Sequence, residues 1–481
     1  MIPAAGHLST LEKNLFPDDV TFLEDGNFEL LGGPIGSSEY CNQHTQNRVD
    51  KASELLLALG ELPNPQVALT LLRQCASFGK LVYSLRVVPH SKHKGALQNF
   101  DSAVRNCIES FLCYSFTDSE WSLASLSTKM GGLGLRSTEC HSSAAFLSSQ
   151  ASCHDLCSRL DPKYSWNTND TSTDCYAALL DFNTKVKHSN RLEVIGDSFP
   201  RQQILSQAID NQILETFLED SSVYTQAHLK LTTASGAGSW LHTIPSKALG
   251  TFVDPSLYPT MIKRWLRIPM FESEFHCPFC DEVVDRFGDH CIICSCGGDR
   301  TKRHNLIRNE VFYLCHSAGL NPELERPGLL RPRPLVGSAR ESGADRDPNA
   351  DRRPADVYLP RWRRGTPAAL DLAVTSGLRR DMVERSAEDG STAVKLYENT
   401  KRSYLDTEVA CQEEGIKFTP LICEADGGGW GPAAHAVWSQ LAKHKSTLTG
   451  ESDSITATHL LQSLGLILHK ENAPCHTSSL S

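Results

Sequence analysis

No apolar run in the 481 residues reaches the ~18 needed to span a bilayer, which excludes a membrane helix. Met1-Ile-Pro-Ala-Ala-Gly6 has no basic start leading into an apolar core, so no signal peptide is expected. Positive charge is short overall: the formal net charge is −10, which argues against a wholesale polyanion binder. The 17 cysteines lack the clustered spacing of a disulfide framework, and their scatter suits buried free thiols in an intracellular protein. No glycine-rich loop follows a strand as phosphate binding requires. Met130-Gly-Gly-Leu-Gly-Leu-Arg136 is expected to be a turn instead.

Two features stand against these absences. One group of cysteines is compact, from Cys277 to Cys296. Charge is also uneven: residues 300–364 carry fourteen Lys/Arg against eight Asp/Glu, a local excess of six that leaves −16 on the rest. A basic stripe on an acidic protein can form a nucleic-acid footprint, although a solvated arginine-rich loop has the same composition.

A chain of this length holds roughly three domains of ~150 residues. Phe28-Glu-Leu-Leu-Gly-Gly-Pro-Ile-Gly36 is a short strand with a Gly/Pro turn. Phe16-Pro-Asp-Asp19 has the look of paired polymerase aspartates. Pro17 removes a backbone donor that a catalytic hairpin needs, and too little chain precedes it for palm strands, so a surface turn is expected. Helical patterns cover residues 49–60, 65–76, 97–114 and 141–157, then 176–186, 202–219 and 255–269. A helix over 303–318 follows the cysteine group, and Pro322–Ala355 should be a mobile loop. Strands are expected from Asp356, over Pro367–Thr375 and over Phe418–Ala425, with helices at 392–413, 433–443 and 456–464, the last stopping at Gly465.

The cysteine group reads C-x2-C-x9-H-x3-C through Cys277, Cys280, His290 and Cys294, or H-x5-C if Cys296 closes it. Two thiolates on one knuckle with a distant His and Cys complete a tetrahedron, the geometry zinc prefers. All four positions are filled by protein, so such a site is structural. Spacing leaves Cys294 and Cys296 open as alternatives. Cys291 adjoins His290 and points elsewhere, and His304 is a further candidate, although Arg303-His304-Asn305 suits a helix start facing phosphate.

Asp356 and Asp371 lie fifteen residues apart, as on two neighbouring strands. Carboxylates so placed can share Mg²⁺, which polarises a phosphodiester and lowers the pKa of an attacking water. A charge within Leu370-Asp371-Leu372 is costly to bury without a partner. Lys395, Tyr397, Lys401 and Tyr404 are available on the next helix, and Glu310 on the preceding one could add a carboxylate. A strand-end Asp and a salt-bridged core Asp would give the same spacing.

Together these residues resemble the C-terminal part of the polyprotein of non-LTR (LINE-type) retrotransposons with a restriction-like endonuclease. The knuckle Cys277, Cys280, His290, Cys294 lies upstream of Arg353-Pro354-Ala355-Asp356, then Asp371, then Lys401. Ala355 is an insertion in the family's Arg/Lys-Pro-Asp pattern, and Asp371-Leu-Ala lacks the acid-x-Lys triplet, so the lysine comes from the helix, with Lys395 as substitute. The resemblance implies an α+β multidomain protein: a palm/thumb remnant over 1–45, a helical thumb-like domain over 46–157 and a helical connector over 158–270. A zinc knuckle over 271–302, a PD-(D/E)xK core with a small mixed sheet over 303–445 and a tail over 446–481 follow. It implies structural zinc, catalytic magnesium at Asp356, Asp371, Lys401 and Glu310, and phosphate contacts from Arg300, Lys302, Arg303, His304, Arg308 and Arg353. DNA and element RNA are the implied partners and the nucleus the implied location. The implied activity is nicking of a target strand that primes reverse transcription, with the polymerase palm missing and no polymerisation expected. An inactive nucleic-acid-binding fragment or a host-adopted scaffold is the alternative.

Overall fold

The N-terminal apolar stretch closes on itself as a hairpin, Phe28–Leu30 (β1) against Gly33–Ile35 (β2). The turn places Leu31 at φ 50 and Gly32 at φ 81, the left-handed pair that matches strand twist. The computed structural model describes residues 25–162, 170–193, 199–331 and 353–473, with residues 17 and 23. The turn expected at Phe16–Asp19 lies outside the described residues apart from Pro17.

The chain forms two units, one of residues up to Ser127 with Gly134–Glu219, the other of Thr128–Leu133 with residues from Asp220. The first is helical beyond its hairpin. Helix α1 (Ser38–Gly60) starts well ahead of the apolar periodicity because the Ser37 hydroxyl accepts the Tyr40 N–H and caps it. Helix α2 (Pro65–Leu71) has proline in its first turn, and the short α3 (Val82–Val87) follows. Helix α4 (Lys94–Leu112) buries the stripe Phe100, Val104, Cys107, Ile108 and Phe111 and packs on α1. Helix α5 (Asp118–Ser125), unread in the sequence, is held by a Thr117/Glu120 capping box. Helices α6 (Thr138–Leu160), α7 (Asp174–Thr184) and α8 (Gln202–Glu219) share a core of Phe146, Leu147, Leu179, Phe182, Leu205 and Ile209.

The second unit opens with α9 (Val223–Thr232) and α10 (Tyr258–Trp265). A two-residue hairpin, β3 (Phe275–His276) and β4 (Val283–Val284), leads to α11 (Asp289–Ile293) and the long α12 (Asp299–Ser317). One mixed sheet follows, in the order β5 (Glu323–Leu324), β6 (Val357–Arg363), β7 (Thr366–Thr375), β8 (Lys417–Glu424). The first three are antiparallel neighbours and β7–β8 is parallel, so the chain crosses over between them through α13 (Val383–Glu388), α14 (Thr392–Ser403) and α15 (Thr407–Glu413). Helices α16 (Pro432–Thr449) and α17 (Asp453–Asn472) close the unit.

Strand alternation sorts the sheet's two faces. Leu359, Leu370 and Leu372 meet Ile307 and Val311 of α12, Trp438 and Leu441 of α16, and Leu464 and Leu468 of α17. Ala373 and Ile422 meet Val394 of α14, while Ala369 and Phe418 meet Cys411 of α15. The protein is therefore α+β, mainly helical with small sheets.

Three sequence expectations change. The helix expected over 392–413 is two, because Leu405 and Asp406 take φ 52 and 54 and break it. Gly465 does not stop a helix: α17 runs through it, and a Cβ there would come within 3.3 Å of the Trp240 Cβ, so glycine serves close packing. Of the tail expected over 446–481, residues 446–449 end α16 and Asp453–Asn472 is α17, which packs into the core, with residues 474–481 outside the described residues. Of the loop expected over 322–355, Glu323–Leu324 is β5 and residues 332–352 lie outside the described residues.

The end of β8 is fixed by a buried ion pair. Arg264 of α10 reaches Asp426, whose other oxygen accepts the Ser376 hydroxyl at 2.5 Å. Asp426 is 1 % exposed. Asp426→Ala leaves buried Arg264 to the more distant Asp289, at 3.8 Å, and is expected to cost about 3 kcal/mol, since removing the closer partner of a buried pair leaves the other poorly compensated. Urea unfolding with the slope m unchanged measures it; a midpoint within error of the parent would refute it.

Candidate functional site

Cys277 and Cys280 occupy the turn between β3 and β4, where the Cys277 N–H bonds the Glu282 carbonyl at 3.0 Å. Asp285 accepts the N–H groups of Phe287 (2.7 Å) and Asp289 (2.9 Å), and Gly288 at φ 71 turns the chain into α11. That single turn of helix carries His290 inward, and Cys294 caps its end. The four ligand atoms lie within 4.8 Å of one another. Cys280 Sγ is 3.3 Å from His290 Nε2 and 3.8 Å from Cys294 Sγ, and Cys277 and Cys294 are 4.0 Å apart. A tetrahedron with ~2.3 Å metal–sulfur bonds has edges of about 3.8 Å, so this Cys3His cluster could hold a metal ion. Of the two cysteines left open by spacing, Cys294 is in the group and Cys296 is exposed outside it. Burial raises the Cys277 thiol, but the N–H groups of Phe279 and Cys280 outweigh it and hold the group below its ordinary value. A thiolate so supported is a ready ligand.

The acid site forms where β7 outruns β6. The β6–β7 pairing reaches Val357↔Leu370, and the Asp356 N–H bonds the Leu370 carbonyl at 3.0 Å. Beyond that point the Leu372 peptide has no strand partner on this side. Asp356 Oδ2 accepts its N–H at 2.7 Å, and His304 Nε2 from α12 bonds its carbonyl at 3.2 Å. His304 Nε2 is also 3.4 Å from Asp356 Oδ2. On β7, Asp371 points toward α14, where Lys401 Nζ meets its Oδ2 at 2.9 Å. The Oδ1 of each carboxylate has no hydrogen-bond partner among the described residues. Burial raises Asp371; Lys401 pulls it down and Asp356 pushes it up.

The structure thus brings Asp356, Asp371, Lys401 and His304 together. Lys395 instead pairs with exposed Asp389 at 3.3 Å. Glu310 lies on the flank of α12 away from His304 and makes no hydrogen bond or ion pair among the described residues. The expected phosphate contacts divide. Arg303 is corrected to a structural tie: it is 3 % exposed and donates to Asn472 Oδ1 at 2.7 Å and the Ile292 carbonyl at 3.1 Å. His304 faces Asp356 rather than solvent phosphate. Arg308 and Arg353 both pair with Glu325, and Lys302 pairs with Glu471 at 2.9 Å. Arg300 is exposed, and among the described residues its one hydrogen bond goes to the Ile293 carbonyl, at 3.5 Å. The sequence reading missed His304 as a partner of Asp356 and the Leu372 peptide as the group both hold. The only signal was the position of Leu372 beside Asp371.

Asp356 holds His304 above its ordinary value of 6.5, against burial. A histidine raised in this way contributes stability that is whole below pH 6.5 and is lost as the pH rises through the raised value. Asp356→Asn keeps an oxygen for Leu372 but removes that charge, so the fall in melting temperature on raising the pH above 6.5 should flatten. An unchanged pH profile would contradict the pairing.

Comparison with protein-family models and with curated proteins finds no match to this chain. No helix among the described residues is long and apolar enough to cross a membrane.

Proposed function

We propose that the second unit is a magnesium-dependent DNA-nicking endonuclease of the restriction-like type, in a protein related to non-LTR retrotransposon polyproteins, with a structural zinc knuckle at Cys277, Cys280, His290 and Cys294. The observation that carries the reading is Lys401 on Asp371 beside Asp356. These residues come from α14, from β7 and from the position just before β6, and only the fold joins them. Hard carboxylate and carbonyl oxygens suit Mg²⁺. Asp356 Oδ1, Asp371 Oδ1 and the Leu372 carbonyl would hold it, and when bound it polarises a phosphodiester and activates water. Lys401 places an ammonium where negative charge grows on the scissile phosphate. His304 fixes the Leu372 carbonyl and the Asp356 carboxylate in direction. The intact family uses such nicking to prime reverse transcription; DNA, element RNA and the nucleus are the partners and place this reading implies.

A second reading has an observation of its own. Asp371 is already paired with Lys401, and Asp356 lies against His304 and satisfies the Leu372 peptide, so the acids have a structural use without a metal. The chain would then be an inactive nucleic-acid-binding fragment or an adopted scaffold. Purified protein incubated with supercoiled plasmid decides. Open-circle product with added Mg²⁺ and none when Mg²⁺ is omitted from the zinc-loaded protein supports the nuclease. Plasmid left supercoiled in both, with DNA still bound, supports the second reading.

A further inference from the structure

The cations that sequence pattern assigned to phosphate are largely neutralised or buried, yet another group is not. At the far end of the sheet, Trp362, Arg363, Arg364, Thr366, Lys417, Gln440 and His444 line an open cavity of about 670 Å³. Its lining holds three full cations and a histidine but no carboxylate. Among the described residues no acid pairs with Arg363, Arg364 or Lys417; Arg363 donates only to Gln440 Oε1, at 3.4 Å. All three are exposed, whereas Trp362 is 6 % exposed and offers no face for base stacking. In a chain of net charge −10, cations left unpaired side by side repel one another and are stabilised by an anion.

The spacing suits a polymer of phosphates better than one small anion. Arg363 pairs across β7 with Thr366, and Lys417 pairs on the other side with Ala368. Two strand spacings and two residue rises separate their backbones by about 12 Å. That span matches several successive phosphates, at the ~3.4 Å rise of one strand. Arg364 sits at the hairpin tip at φ 50 beside Gly365 at φ 81, a left-handed position that arginine rarely takes. The turn thereby presents two adjacent guanidiniums, which bind phosphate with fork geometry.

We propose that this groove is a nucleic-acid backbone site, contacting phosphates without reading sequence, separate from the acid site on the α14 face. Full-length zinc-loaded protein without added Mg²⁺, so that catalysis is silent, is titrated against a fluorescein-labelled 20-base-pair duplex at several salt concentrations. The variant Arg363→Gln/Arg364→Gln/Lys417→Gln should bind about 10- to 100-fold more weakly, with the log–log salt slope smaller by about 2 to 3. Arg363→Lys/Arg364→Lys keeps the charge and should retain most of the affinity, which a folding defect would not allow. Equal affinity and slope for parent and Gln variant overturns the proposal, as does equal loss in the Lys variant. So does inorganic phosphate at about 1 mM that abolishes the difference between parent and variant, since that marks a small-anion site. Absence of nicking does not bear on this outcome, and loss of this binding leaves the nuclease assay to stand on its own.

Discussion

Asp371→Asn is expected to lower Mg²⁺-dependent nicking at least about a thousandfold, roughly 4 kcal/mol of barrier, while the fold survives. The amide keeps the shape but not the charge. Asp371 is 18 % exposed, with one oxygen on Lys401 at 2.9 Å and the other without a hydrogen-bond partner among the described residues. Burial raises its pKa, so ionised Asp371 costs stability once the pH exceeds its ordinary value of 3.8, and an asparagine removes that cost. Against this, Lys401 loses its partner; its side chain is 28 % exposed and reaches water. The two effects oppose, so the melting temperature should move by only a few degrees, as a change of about 1 kcal/mol gives in a domain of this size. Lys401→Met should also abolish most nicking, because it removes the ammonium and raises Asp371 further. Lys395→Met should not, since Lys395 lies against Asp389. Nicking by Asp371→Asn at the parent rate would remove the acid pair from the chemistry whatever the fold does.

Why Asp371 could be singled out from sequence, while His304 could not, is a matter of range. A carboxylate inside an apolar strand is conspicuous by itself, and the Cys spacing is local enough to write down a tetrahedron. The other half of the acid site depends on where β6 begins relative to β7. That register leaves the Leu372 peptide without a ladder partner, and His304 reaches it from 68 positions away. Arg303 looked like a phosphate ligand for the same reason: its partner Asn472 lies 169 positions on. The glycines show the same division. Gly32 in its hairpin follows from local turn chemistry, whereas a Cβ on Gly427 would stand 2.4 Å from the Leu231 carbonyl of α9, a neighbour only the fold supplies. Helix α9 itself went unread, and its Leu231 packs on Leu378 and Val383 at the start of α13.

Stripping metal from the knuckle is expected to unfold residues 275–296 and leave the β6–β8 sheet folded. The knuckle has two strands of two residues and a five-residue helix. Its fully buried apolar side chains are Val284 and Ile292, about 2 kcal/mol each at best, against an ordering cost of about 1 kcal/mol or more for every residue. Structural zinc supplies about 10 kcal/mol or more in isolated fingers, enough to reverse that balance. The cluster also needs a cation for its own electrostatics: burial and the neighbouring Cys280 and Cys277 push the Cys294 thiol up to about 12, so without metal this thiol keeps its proton. Zinc binding should release protons and weaken as the pH falls. Metal analysis should give one zinc per chain, lost in Cys277→Ser/Cys280→Ser and kept in Cys296→Ser. In hydrogen exchange, the apo protein should lose protection from Cys277 to Cys294. The amides of Leu370–Val374 should stay protected, because their ladder to β8 does not involve the knuckle. One link between the two is Arg264, which donates to the Phe287 carbonyl at 3.3 Å as well as holding Asp426. Apo protein should therefore show a smaller penalty for Asp426→Ala than metal-loaded protein, since Arg264 freed from the knuckle can turn toward water. Equal penalties in the two states would mean that α10 does not feel the metal.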